Sequence, residues 1–273
     1  MNFNSLNFWP FRQPKIGLAL GGGSMRGLAN VGILKGLAKH SVPIHCISGT
    51  SAGSIAAALY AAGQTAAEIE EIVLELDWFK IASLSLSGHG MLNPAKLQKY
   101  LDTLLPVKTF GETKIPLHIS ASDLLTAQEY VFEQPDEEIA FATAVSCSIP
   151  GVFSPSEYRG RYLVDGCLVN NIPLSALAIN RPTVYIGVNV IPRGAMPEKP
   201  RNIFQIFSRG YDIYELSNLA RYQKYKPLLL EPLKAYVKPE LKPGKDFYRK
   251  LIQAGETEIE KQLPRLKKLT RVK

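Results

Sequence analysis

Apolar residues fall in short continuous blocks that alternate with segments where they recur every three or four positions. Residues 15–20 (KIGLAL) are one such block and run straight into glycines, the pattern of a buried strand that ends in a tight loop. From 25 to 39 the apolar positions Leu28, Val31, Leu34, Leu37 and Ala38 return at helical spacing. Residues 44–48 predict a second buried strand, and 54–62 (SIAAALYAA) a helix of strong formers closed by Gly63. A β-α-β-α opening favours a parallel sheet covered on both faces, because parallel neighbours need a crossover helix between them.

The pattern continues with a helix over 69–76, an apolar loop with glycine hinges over 84–92 (LSLSGHGML), strands at 117–121 and 129–132, and a short helix at 140–147. Another buried strand is predicted at 184–190. An aromatic-rich helix spans 203–225, and a basic helix over 246–268 follows the loop KPELKPGKD. No repeat, low-complexity tract or shift in composition divides the chain.

Composition adds little to this picture: 273 residues, 46% hydrophobic and 21% charged, are ordinary for one large α/β domain. No apolar run reaches the roughly 18 residues that cross a bilayer. The start, MNFNSLNFWPFRQPK, shows neither a basic leader nor a continuous apolar stretch, so no signal peptide is expected. Cys46, Cys147 and Cys167 are odd in number and lack metal spacing, which points to a reducing cytoplasm and away from a zinc site. Charge changes the picture more. The net value of +8 fits a polyanionic partner, either nucleic acid or an anionic membrane surface touched from the cytoplasmic side. Nucleic acid ranks low because no reader motif accompanies the charge. Arg12, Lys15, Arg26, Lys35 and Lys39 all precede the first acidic residue, Glu68.

Three short motifs carry candidate chemistry. Gly49-Thr-Ser-Ala-Gly53 matches G-x-S-x-G and lies between a buried strand and a helix. So sharp a turn needs the small neighbours Gly49, Ala52 and Gly53, and it presents the Ser51 hydroxyl at a helix N-terminus, where the dipole favours negative charge. The alternative is a glycine-rich turn with a serine N-cap. A serine nucleophile needs a base, yet His40, His45, His89 and His118 all precede Asp165, so none stands last as in the order Ser, Asp, His. Asp165, after the short apolar stretch Tyr162-Leu-Val and before Gly166, is the better candidate: at a strand end, among Leu163, Val164 and Leu168, it would be partly desolvated. Read alone, Asp165-Gly166 is equally a hairpin turn. The third motif is Gly21-Gly-Gly-Ser-Met-Arg-Gly27. A dinucleotide fingerprint would need glycine at position 26 and an acid about 20 residues on, and a P-loop would need Lys and Ser/Thr after Gly27; neither is met. An oxyanion hole remains, with N–H donors from Gly22, Gly23 and Ser24. Arg26 is either a surface arginine or one that holds the loop or meets a phosphate oxygen.

These elements, in this order, resemble the patatin-like phospholipases, and most closely their small bacterial members. Ser148-Ile-Pro-Gly-Val-Phe153, Ala121-Ser-Asp-Leu124 and Val169-Asn-Asn-Ile-Pro173 strengthen the resemblance, which covers roughly residues 15–190. It implies a three-layer α/β/α sandwich with a mainly parallel central sheet. Residues 1–14 would form a strap or flexible segment, 15–190 the catalytic core, and 191–273 a helical region on the same domain. It also implies hydrolysis of lipid acyl esters through an acyl-serine, without metal or cofactor, with Ser51 as nucleophile, Asp165 as its base, and Gly21, Gly22, Gly23 and Ser24 lining the oxyanion loop. Ser24 stands where small bacterial relatives usually carry a fourth glycine, and Asn30 where they often carry histidine. Two rival readings keep the same elbow: an acyltransferase, and a non-catalytic regulatory protein. The aromatic and basic residues of 203–225, and Phe3, Phe8, Trp9 and Phe11, would either cover the domain or meet lipid headgroups.

Overall fold

The computed structural model describes residues 14–75, 92–235, 237 and 244–271. His89, the N-terminal aromatics, nearly all of the 84–92 loop and most of the loop before the last helix lie outside the described residues.

Strand β1 (Ile16–Leu20) leads through a 3-10 turn (Ser24–Gly27) into helix α1 (Leu28–Lys39). β2 (Cys46–Thr50), α2 (Ala52–Ala61) and α3 (Ala66–Glu75) follow. Between α2 and α3 the chain turns at Gly63, whose φ of 104° is one that a side chain would strain. Helix α4 (Pro94–Leu104) is absent from the periodicity reading. Its start was legible in Asn93-Pro94, for the Asn93 side chain accepts from the Ala95 N–H and proline takes the first turn. Then come β3 (Leu117–Asp123), β4 (Gln128–Phe132), α5 (Ile139–Ser146), β5 (Ser156–Tyr158), β6 (Arg161–Asp165), β7 (Val184–Val188), α6 (Ile203–Ser217), β8 (Leu228–Leu230) and α7 (Lys245–Thr270). The helix expected to run unbroken from 203 to 225 stops at Asn218, and residues 219–225 wind on as 3-10.

The sheet is mixed. Five strands run parallel in the order β3-β2-β1-β7-β8, while β4 and β6 are antiparallel to β3, and β5 to β6. Alternation along the strands divides the core. Ile16, Leu18, Leu20, Ile47, Ile119, Ile186 and Val188 face a thick layer that includes α1, α2, α5 and α7, whereas Ala19 and Cys46 face a thin one with Ile172, Leu174, Leu177 and Tyr222. The arrangement is three-layered, with 3-10 turns in place of long helices in the thin layer. That layer is pinned by hydroxyls: Ser48 donates to the Pro173 carbonyl at 2.9 Å and Thr50 to that of Asn170 at 2.9 Å. In the thick layer α1 and α7 cross with backbones in contact, since a Cβ on Gly32 would stand 1.8 Å from the Ile252 carbonyl oxygen.

One feature of this topology positions the site. β3 pairs with β2 over residues 117–120 and with β6 over 121–123, while β4 pairs with it along 119–123. β2 and β6 therefore run toward each other along one edge of β3, and their C-terminal ends meet where Thr50 pairs with Ser120 and Asp165 with Ala121. The residue after β2 is Ser51. Asp165 stands at a strand end as expected, but β6 is antiparallel to β3 and reaches the site from the opposite direction.

Candidate active site

Ser51 occupies the turn from β2 into α2 with φ 52° and ψ −129°, a backbone state that a non-glycine residue holds at a cost of about 1–3 kcal/mol. Its neighbours explain why the turn closes. A Cβ on Gly53 would stand 2.2 Å from the Leu20 carbonyl oxygen, and one on Gly49 would stand 2.6 Å from that of Gly53, so β1, β2 and α2 meet with no room for side chains. Ala52 packs against Gly27 in the same way. The Ser51 N–H donates to the Ser146 hydroxyl at 2.9 Å, which in turn donates to the Ser120 carbonyl at 2.7 Å. The Ser51 side chain does not cap α2. Instead its hydroxyl donates to Asp165 Oδ2 at 2.7 Å.

Asp165 ends β6 and starts a 3-10 turn, not a hairpin, with Oδ1 accepting the Cys167 N–H at 2.9 Å. Gly166 follows because a Cβ there would meet the Ser120 carbonyl oxygen at 2.4 Å. The Asp165 carboxyl is 1% exposed. Burial raises its pKa from 3.8 to about 6, against the opposing hydrogen bonds from Cys167 and Ser51. Such a carboxylate is charged at neutral pH yet far more basic than an exposed one.

The glycine loop packs against this pair. A Cβ on Gly22 would lie 2.9 Å from Ser51 Cβ. Of the loop's donors, Gly21 N–H is taken by the Val188 carbonyl (3.1 Å) and Gly22 N–H by Asn171 Oδ1 (3.1 Å), whose amide reaches back to the Gly22 carbonyl. This changes the donor set expected from sequence. Among the described residues no acceptor takes the N–H of Gly23 or Ser24, and both residues line the same cavity as Ser51. Ser24 has φ 54°, in the region that favours glycine. Asn30 donates to the Gly21 carbonyl at 3.0 Å. Arg26 is buried: Nε donates to the Gly23 carbonyl at 3.1 Å, and the two terminal nitrogens grip Asp212 of α6 at 2.7 and 2.8 Å. Its guanidinium thus ties the loop to α6.

Asn171 and Asp212 were not singled out as site residues. Asn171 had a signal in the Asn-Asn-Ile-Pro stretch. Asp212 had none, standing 186 residues from its partner.

Beside Ser51 and Asp165 opens a cavity of about 400 Å³, apolar along Ile149, Val152, Ile191, Ile203 and Phe207. The described histidines lie elsewhere. His40 meets Glu260, His45 Nδ1 accepts the Ile16 N–H, and His118 lies between Glu133 and Asn180. Among the described residues no group of three or more His, Cys, Asp or Glu gathers to hold a metal, and no helix is long and apolar enough to cross a membrane.

Comparison with known proteins gives the same pattern a context. The family model described as patatin-like phospholipase matches residues 18–178. An uncharacterized NTE family protein of Mycobacterium tuberculosis is 27% identical over 189 residues, which are 68% of this chain and 52% of that protein. The chain thus spans about half the length of such relatives. The uncharacterized protein YqhO of Bacillus subtilis is 28% identical over 74% of this chain and 80% of its own length. Lysophospholipase NTE1 of Scheffersomyces stipitis is 29% identical over 64% of this chain and 12% of its own. Among solved structures, VipD from Legionella pneumophila superposes with a TM-score of 0.66 at 13% identity, over 93% of this chain and 67% of that one. ExoU in the SpcU–ExoU complex from Pseudomonas aeruginosa gives 0.52 at 16% identity, over 93% and 52%. These two likenesses are likenesses of fold.

Proposed function

The chain belongs to the patatin-like phospholipase family, and from that premise we propose that it hydrolyses acyl esters of lipids, with Ser51 as nucleophile and Asp165 as the only proton carrier. The observation that carries this reading is the 2.7 Å hydrogen bond from the Ser51 hydroxyl to the buried Asp165 carboxylate beside an apolar cavity.

As Ser51 Oγ attacks the ester carbonyl, its proton passes to Asp165 and the carbonyl oxygen becomes an oxyanion, received by the N–H groups of Gly23 and Ser24. Each such donor is worth about 3 to 4 kcal/mol. Collapse breaks the ester C–O bond, Asp165 returns the proton to the departing alcohol, and an acyl-serine remains. Water then attacks it, giving its proton to Asp165, and the second tetrahedral intermediate releases the fatty acid as the proton goes back to Ser51. The apolar wall from Ile149 to Phe207 suits an acyl chain. A phospholipid, a lysophospholipid or a simple carboxylic ester would fit this scheme, and a cytoplasmic enzyme acting on lipid from that side is consistent with three free cysteines.

The test is a panel of phospholipids, lysophospholipids and short-chain esters offered to the wild type and to Ser51→Ala, with a fluorophosphonate as covalent probe. Labelling of Ser51 alone and loss of both labelling and hydrolysis in Ser51→Ala are expected. Turnover retained in the variant ends the proposal. Product analysis with an acceptor alcohol separates hydrolysis from acyl transfer.

A further inference from the structure

Helix α6 is amphipathic in the wrong sense for a helix that only covers a domain. Its two acidic residues, Asp212 and Glu215, are 1% and 3% exposed, whereas Ile203, Ile206, Phe207 and Ile213 are each more than half exposed. The spacing 203, 206, 207, 213 places those four on one side of the helix. Inside, Asp212 is neutralised by Arg26, and Glu215 by Arg221 and the Tyr222 hydroxyl. The outer side of the helix therefore carries no acidic group, and just before its first turn stand the exposed Lys199 and Arg201, the latter paired with Glu198 at 2.9 Å. A soluble surface rarely leaves such a stripe uncovered.

We propose that α6 is the face by which this protein docks on an anionic phospholipid bilayer, its outer isoleucines and Phe207 sunk into the interface and the cavity mouth held against the lipid. Two observations select a bilayer over a protein. Ile203 and Phe207 belong both to the outer side and to the cavity lining, so the apolar surface runs unbroken from solvent toward Ser51. A protein partner or a second copy seated there would stop the opening, while a lipid surface supplies what the cavity holds. The charge is the second: a net +8 chain whose apolar stripe carries no acidic group of its own, with Lys199 exposed at its start, complements anionic headgroups. The purpose assigned to this face rests on the acyl-hydrolase reading, but binding is measurable without turnover.

The test uses the full chain carrying Ser51→Ala, sedimented with sucrose-loaded vesicles of phosphatidylcholine alone or mixed with phosphatidylglycerol. The bound fraction should rise with phosphatidylglycerol and fall with salt. Adding Ile206→Glu and Ile213→Glu, neither of which lines the cavity, should weaken binding to the mixed vesicles tenfold or more. Lys199→Ser with Arg201→Ser should weaken it several-fold without touching an apolar residue. With Ser51 restored, both pairs should hydrolyse a short water-soluble ester within twofold of the wild type. Undiminished vesicle binding by the isoleucine pair, or no binding by the parent, overturns the proposal. So does a dimer in sedimentation velocity that the isoleucine pair disperses, since the face would then belong to a second copy. Failure of the wild type on the soluble ester would instead strike the acyl-hydrolase reading and leave the vesicle result standing.

Discussion

Asp165 is held where a carboxylate is poorly solvated, and this has opposite effects on rate and on stability. Its pKa rises from 3.8 to about 6 because burial penalises the charged form. If it is the base, kcat/KM climbs with pH through about 6 and levels above it. Stability runs the other way. Between about pH 4 and 6 the native carboxyl keeps a proton that the unfolded chain has lost, so the stability this group contributes falls as pH rises through that window and stays low above it. Asp165→Asn should therefore slow turnover by a hundredfold or more, abolish the acidic limb, and stabilise the fold at pH 7.5 by up to about 3 kcal/mol in urea melts. The amide can still accept from Cys167 and donate to Ser51. An Asn variant that is both inactive and less stable would mean that the carboxylate is structurally required.

Among elements, the α1–α7 crossing shows how far small residues determine this architecture. Gly32 and Gly255 allow the two helices to touch backbone to backbone, and Gly36 makes room for the Ile259 side chain; a Cβ on Gly255 would lie 2.1 Å from the Ala29 carbonyl oxygen. Neither helix can move aside without opening the core that Leu34, Leu37, Ile252 and Ile259 fill. Gly32→Ala should destabilise by about 1–3 kcal/mol in chemical denaturation, despite alanine's better helix propensity, while kcat of the folded fraction stays within a few-fold. The glycines of α1 were visible in the sequence as weak points in a helix. Only the partner helix, some 220 residues further on, explains them.

At the scale of the molecule, the proposed scheme assigns proton transfer to one carboxylate, and the described histidines lie elsewhere in the fold. His40, His45, His89 and His118 changed singly to Gln should leave kcat within a few-fold, with His118→Gln also lowering Tm because its ring bridges Glu133 and Asn180. Chelation by EDTA should leave hydrolysis unchanged. Collapse of turnover in any one histidine variant, with near-normal turnover in Asp165→Asn, would replace the dyad with a triad.

Local patterns determined most elements and the chemistry-bearing motifs. Strands β1 and β7, helices α1 and α2 and the sharp turn at Ser51 follow from apolar blocks, helical spacing and glycines within a few residues of one another. Helix α4 was missed although Asn93-Pro94 marked its start, because its apolar positions are few and its burial depends on α5. What no local pattern could hold is the meeting of β2 and β6 along one edge of β3, which brings Ser51 to Asp165 across 114 residues. Nor could it assign the Gly22 N–H to Asn171, join Arg26 to Asp212, or reveal that α6 turns its acids inward and its isoleucines out. Periodicity reports that a helix has two faces. Which face is buried depends on what the rest of the chain offers, and here Arg26 and Arg221 made the polar side the favourable one to bury.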